Sequence, residues 1–345
     1  MRTELHFSAQ DLALTRFAVS PMQEVVTSLR ALAHSPAPAL HRRWAGQVRE
    51  RLATAGLDRG RLAAMVPPDG HLPDFLNPAP AGFSPTLAEE LAAIAASGAG
   101  QVRADLDIVA AEAGGRLPAV LAPLYRDPDG QLPRLAAEIE AYWELALAPY
   151  WARIRALLAA DVFHRSRQAA EHGTARMLDE LHETVRWDGT ALRLERRHCA
   201  VARLTAGSGL LLLPSAFAWP RVLTRVLPPE PPQLIYPARG TAALWEERPG
   251  SAARTDALAA VLGRSRARLL AELDSPASTT ELAGRTGLSP AAVSQHLAAL
   301  RAAGLTSAHR AGHAVLSART AVGDSLFAPN GQTFEKAAVA GHPAP

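Results

Sequence analysis

The sequence predicts a mainly α-helical protein that carries a small β-rich module and ends in a winged helix-turn-helix. Three observations predict this. Apolar residues recur at helical spacing over most of the first 183 positions. The period then changes from 3.6 to 2 around the dipeptide Asp188-Gly189. Finally, positions 278–318 place two capped helices and a short hairpin in direct succession. A chain of 345 residues is too long for a winged helix alone and suits two or three domains with proper cores. The division expected is a helical domain over 1–183 with a sensing or dimerisation role, and a β-rich module over 184–250. The winged helix-turn-helix should cover 251–327, with a disordered tail over 328–345.

The chain starts with a short extended stretch at Leu5 and Phe7, then a helical entry capped by Ser8 ahead of Asp11. Ser20-Pro21 opens the next helix, where Met22, Val25, Val26, Leu29 and Leu32 form one apolar stripe, and Pro36 and Pro38 end it. Further helices are expected over 40–54, 85–96 and 102–113, separated by the proline-rich turns of 67–85. The segment 132–163 is a longer helix that Pro149 should kink or divide. It carries Tyr142, Trp143, Tyr150, Trp151 and Phe163. Because Trp143, Leu147, Tyr150, Ile154 and Leu157 keep helical spacing, the aromatic group reads as core before it reads as the wall of a pocket. His164, Arg165 and Arg167 read as a solvated helix end, with anion binding the alternative.

After a helix around 174–182, Thr184 to Leu194 reads as a hairpin turned at Asp188-Gly189. Leu210 to Leu213 is a buried strand by its unbroken apolar run and Leu234 to Tyr236 another, joined through Pro228, Pro229, Pro231 and Pro232. Trp219, Tyr236, Arg239 and Trp245 are the most distinctive side chains of this module. Two helices, 254–263 and 265–273, lead into the last domain, with Arg264, Arg266 and Arg268 clustered between and within them.

In that domain Ser278 and Glu281 make a capping box and Gly287 stops the first helix. Ser289 is the next N-cap and Pro290 sits at the first helical position, where its missing N–H costs nothing. Val293, Leu297 and Leu300 form the buried stripe, and Gly304 ends the helix at C′. The opposite face holds Ala291, Ala292, Ser294, Gln295, Ala298 and Arg301, small or polar residues that permit close approach to DNA. Strand-like runs at 306–310 and 314–318 around Ala311-Gly312-His313 form the wing. The expected DNA-contacting set is Thr280, Ser289, Ala291, Ser294, Gln295, Arg301, Arg310 and His313, and no ligand-binding residues can be named.

The stretch SPAAVSQHLAALRAAGL closely resembles the recognition helix of the ArsR-type bacterial repressors, and RARLLAELDSPASTTELAGRTG resembles the helices leading into it. The resemblance spans about 70 residues and implies a DNA-binding homodimer that leaves its operator when a signal binds. It puts Ser294 and Gln295 at DNA-facing positions and turns His296 toward its own domain. Many members of that family sense metals through paired cysteines in the helix corresponding to 280–285, where this chain has Ala283 and no cysteine. The stretches FAVSPMQEVVTSLRAL, PSAFAWPRV and YPARGTAALWE resemble an uncharacterised region found ahead of ArsR-like domains in actinobacterial regulators, a resemblance that names no ligand.

Other function classes find little support. The net charge is only +3 and the basic residues are nearly all arginine, with Lys336 the sole lysine, so the chain as a whole is no polyanion binder. The single cysteine, Cys199, excludes an internal disulfide and thiolate metal cages and fits a cytoplasmic location. The N-terminal residues lack a signal-peptide apolar core, and the run Leu210 to Leu213 is too short to span a bilayer. No G-x-G-x-x-G, Walker loop, H-E-x-x-H or G-x-S-x-G is present, so no catalytic residue, metal site or cofactor is expected. His309 and His313, which flank the wing tip, read as polar contacts near DNA before they read as a metal pair. The partners expected are double-stranded DNA, a second copy of the chain and a small-molecule effector. The alternatives are an enzyme acting on a small molecule that uses the winged helix to dimerise, and a promoter-bound interaction module. Whether residues 1–246 enclose a polar-lined pocket or a solid apolar core separates them.

Overall fold

The structure is a computed structural model and describes residues 2–34, 37–195, 202–204, 207–226, 228, 230–245, 251–311 and 314–327. Cys199, His313 and the tail 328–345 lie outside these residues.

A strand, β1 (Arg2–His6), leads to α1 (Ala9–Ala13), which Ser8 and Asp11 start with a reciprocal capping box, and then to the short β2 (Arg16–Phe17). The next helix, α2 (Pro21–Ala33), is deeply enclosed and packs against Leu87–Ala95, Pro128–Ala146 and Leu211–Ser215. Ser20 Oγ accepts from Gln23 N at 2.9 Å, Pro21 occupies the first helical position, and ten of its thirteen residues are buried, Glu24 among them. A helix enclosed on nearly every face belongs inside a protein rather than on its surface. Then come α3 (Arg42–Thr54), α4 (Arg61–Met65), α5 (Leu87–Ala95), α6 (Ala99–Glu112), α7 (Ala122–Arg126) and α8 (Pro128–Ala146), and α8 is the helix on which α2 to α7 all pack. α9 (Trp151–His172) and α10 (Thr174–Asp179) follow.

Pro149 divides the long helical segment, as its missing N–H requires. α8 ends at Ala146, a 3-10 turn spans Ala148–Tyr150, and α9 begins at Trp151. One apolar cluster runs from Val19 to Trp245 and takes in Tyr142 and Tyr150, while Trp143 packs edge-on against Trp151 at 4.9 Å. The aromatic residues are therefore core. Phe163, on α9, is the exception at 71% exposed. Arg165 also departs from its reading as part of a solvated helix end. It is buried, donates to the carbonyls of Glu180 and Leu181, and lies over the Tyr236 ring.

The strands before the C-terminal domain form two mixed sheets, each completed by a strand from the N-terminus. In one, β3 (Val185–Trp187), β4 (Ala191–Glu195), β1 and β5 (Ala202–Leu204) lie in the order β3-β4-β1-β5. In the other, β2, β6 (Leu211–Ser215), β8 (Gln233–Pro237) and β7 (Leu223–Arg225) lie in the order β2-β6-β8-β7, with β2, β6 and β8 parallel. β6 is buried at all five positions, as a central strand covered on both faces must be.

The C-terminal domain holds α11 (Ser251–Leu262), α12 (Arg264–Glu272), β9 (Ala277–Ser278), α13 (Thr279–Thr286), α14 (Pro290–Ala302), β10 (Thr306–Ala311), β11 (Ala314–Arg319) and α15 (Ala321–Ser325). Its core unites Leu269, Leu270, Leu273, Leu282, Val293, Leu297, Leu300 and Phe327. It docks on α8 and α9 through Arg153, which donates to the Asp274 carbonyl at 2.8 Å and its carboxylate at 2.9 Å. Arg319 reaches the same carboxylate at 3.3 Å. Among the described residues no helix is long and apolar enough to cross a membrane.

Candidate nucleic-acid interface

Each part of the helix-turn-helix is fixed by a local device. Ser278 Oγ accepts from Glu281 N at 3.2 Å and the Glu281 carboxylate accepts from Ser278 N at 2.6 Å, which satisfies orphan donors at the start of α13. Gly287 ends that helix at φ +71°, a left-handed conformation that a side chain would strain. Two residues on, Ser289 Oγ accepts from Ala292 N at 3.2 Å and starts α14. Leu282, Val293, Leu297 and Leu300 then lock the two helices together in a shared core.

This leaves one face of α14 in water. Ala291, Ser294, Gln295, Ala298 and Arg301 are all exposed, while His296 is half-buried. No Asp or Glu lies on α14, so nothing on the helix itself repels a phosphate backbone. Thr280 is exposed in the first turn of α13, and Ser289 is exposed beside the start of α14 with its hydroxyl engaged in the cap. Arg310 is exposed on β10 opposite Val315 of β11. His313, and with it the reading of His309 and His313 as a pair, lies outside the described residues.

The reading of His309 as a DNA contact is corrected by the alternation of β10. Arg310 points out and His309, one residue earlier, points to the opposite face, where α8 lies. Its Nε2 is 2.8 Å from Ser307 Oγ and its Nδ1 is 3.6 Å from the Glu144 carboxylate. Burial holds this imidazole below its ordinary value, with the Glu144 charge opposing. The wing is thus two-faced: one side carries Arg310 to solvent and the other rests on the N-terminal helices. Exposed Arg264, Arg266 and Arg268 add to the basic surface. Arg285 joins them, and the Arg268 guanidinium donates to its carbonyl at 3.3 Å. Sequence reading passed over Arg285 because only the packing of α12 against α13 brings it there.

Among the described residues one group could hold a metal ion by proximity. The ligand atoms of His71, Asp74 and Asp105 lie within 4.8 Å of one another. The carboxylates are already engaged: the Gln101 amide and Phe75 N–H donate to Asp105 at 3.0 and 2.9 Å, and the Asp74 carboxylate forms an ion pair with Arg225 at 3.5 Å. A guanidinium beside the ligand set repels a cation, so the arrangement is better suited to tying α6 to the 67–78 loop. Zinc or nickel, at levels that keep the protein soluble, is expected to leave DNA affinity unchanged in an anisotropy titration. A metal-dependent loss of about tenfold that His71→Ala abolished would assign this cluster as a metal site instead.

Residues 268–307 match the family described as bacterial regulatory protein, arsR family. Residues 99–242 match a family of unknown function, DUF5937. No curated protein and no solved structure matches the chain. The C-terminal domain is an ArsR-family winged helix-turn-helix, preceded by a region of unknown function, and the chain is a DNA-binding transcriptional regulator.

Proposed function

We propose that this regulator is a cytoplasmic repressor that binds a pseudo-palindromic operator as a homodimer and leaves it when residues 1–250 register a signal. The observation that carries the reading is the exposed face of α14, small and polar along its length and anchored from behind by Val293, Leu297 and Leu300. Ala291 and Ala298 let the helix approach the groove floor, Ser294 and Gln295 face base edges, and Thr280, Ser289, Arg301 and Arg310 contact the backbone. His313, which lies outside the described residues, is the remaining member of the proposed set.

Homodimerisation follows from information content. One helix contacts too few base pairs to single out a site in a genome, and a two-fold axis doubles the contacts without new sequence. Communication with the N-terminal part is supported by the docking of the winged domain on α8 and α9. Arg153 there grips Asp274 in the turn after α12, and Glu144 meets His309 on the wing. A shift of α8 against α9 would act on both points of support together.

Selection of bound fragments from genomic DNA, followed by footprinting and light scattering of the complex, tests this proposal. The expected result is a footprint with two-fold symmetry and a mass of two chains per duplex. A chain that is monomeric at micromolar concentration and stays monomeric on its selected DNA would remove the homodimer. A site found only where transcription rises on binding would remove the repressor.

A further inference from the structure

Beside α2 lies a cavity of about 270 Å3, just below the roughly 300–1,000 Å3 common for ligand pockets. One wall is Thr27, Arg30 and Ala31 of α2 with His34, the residue just past its end. The other is the segment that leaves the carboxyl end of β6, from Phe217 through Trp219 to Leu223. Open parallel sheets place ligands in this position, outside the carboxyl ends of their strands.

The walls have two characters. Phe217 is buried, whereas Trp219 is 47% exposed at the tip of a turn closed by Arg221 N donating to the Ala218 carbonyl at 2.9 Å. An indole left half in water beside a cavity gains contact area when a flat molecule covers it. The polar character is cationic. No residue lining the cavity is acidic, while Arg30, His34 and Arg221 all line it. One cavity cation, Arg221, pairs with Asp69, and Arg221, His34 and Arg30 together hold that carboxylate below its usual range. Arg30 is fixed in place by the carbonyls of Pro67 and Gly70, at 3.1 and 3.0 Å.

We propose that this cavity binds a small aromatic carboxylate, its ring stacked on Trp219 and its anionic group at Arg221 in competition with Asp69. A carboxylate matches the planar fork of a guanidinium, and a single ring with a short arm suits the volume. As a binding site the cavity stands alone. As the place where the signal enters it rests on the sensory reading above.

The full-length protein, free of DNA, is titrated with benzoate and 1-naphthoate and with the matching primary amides, by calorimetry and ligand-observed saturation-transfer NMR. At least one acid is expected to bind saturably with a Kd under about 1 mM, and its amide about tenfold more weakly or worse. Trp219→Ala and Arg221→Ala are each expected to cost about tenfold or more in affinity, with the thermal midpoint nearly retained because both side chains are about half exposed and outside the core. The site is overturned if neither acid saturates by about 10 mM, if acid and amide bind alike, or if both variants bind as the parent does. A second arm repeats the DNA titration with the bound acid present. Binding without any change in DNA affinity would sink the sensory reading and leave the site standing, whereas absence of binding would sink the site and leave DNA recognition untouched.

Discussion

Glu24→Gln is expected to make the N-terminal part more stable at neutral pH, and the gain should grow as pH rises. Glu24 is fully buried on α2, and both its oxygens accept from Ala216 N at 3.2 Å. Burial pushes its carboxyl up to about 8 from an ordinary 4.5, against the hydrogen bonds from Ser215 and Ala216. The group is therefore protonated in the fold and ionised in the unfolded chain at pH 7. With the folded value raised, its contribution is fully present below pH 4.5 and is lost progressively as pH rises to about 8. At pH 7 that loss is about 3 kcal/mol, at roughly 1.4 kcal/mol per unit. Glutamine keeps the acceptor and never ionises, but its second N–H must find a partner, so a net gain of about 1–3 kcal/mol is expected. Glu90 accepts from Ser20 Oγ and Met22 N and is pushed up to about 7 by its own burial, so the variant should keep a weaker alkaline slope. On the acid side the trend reverses. Burial lowers His41 to about 4, so stability present above 6.5 falls as pH drops toward 4. Denaturant unfolding followed by tryptophan fluorescence at pH 5, 7 and 8.5 checks this, because all six tryptophans lie between Trp44 and Trp245. A variant less stable than the parent at pH 7, with an unchanged pH slope, would show that Glu24 is ionised in the fold.

Gln295→Ala and Arg310→Ala are expected to damage DNA binding in different ways. A glutamine amide pairs with adenine through N6 and N7, so losing it should cost about 1–3 kcal/mol on the operator and leave scrambled duplex nearly unaffected. Arg310 stands on the solvent face of β10, away from the His309 contact with Glu144. Its loss should weaken operator and scrambled DNA alike and flatten the salt dependence by about one counterion per subunit. Titrations of both variants against both duplexes at three salt concentrations decide the matter. Equal losses of Gln295→Ala on the two duplexes would mean that the exposed face of α14 is not the reading face.

The helix-turn-helix was legible because its signals are local. The capping box of Ser278 and Glu281, the left-handed Gly287 and the Ser289-Pro290 start each act within four residues, and the buried stripe of α14 repeats every three or four. The hairpin of β3 and β4 could be read for the same reason, since Asp188 fixes its turn by accepting from Thr190 N and Ala191 N. Tertiary structure alone decided what joins residues far apart. β1 and β2 enter sheets whose other strands lie about two hundred positions later. The pairing of a two-residue strand such as Arg16–Phe17 is set by what β6 offers it, because so short a run carries no periodicity of its own. The same holds for charge. Nothing near Arg165 announces that it is buried over Tyr236, nothing near Glu24 announces a protonated acid, and His309 seemed a surface residue until α8 covered it. Burial and dielectric are properties of the packed whole, and they gave these side chains the states that the sequence around them left open.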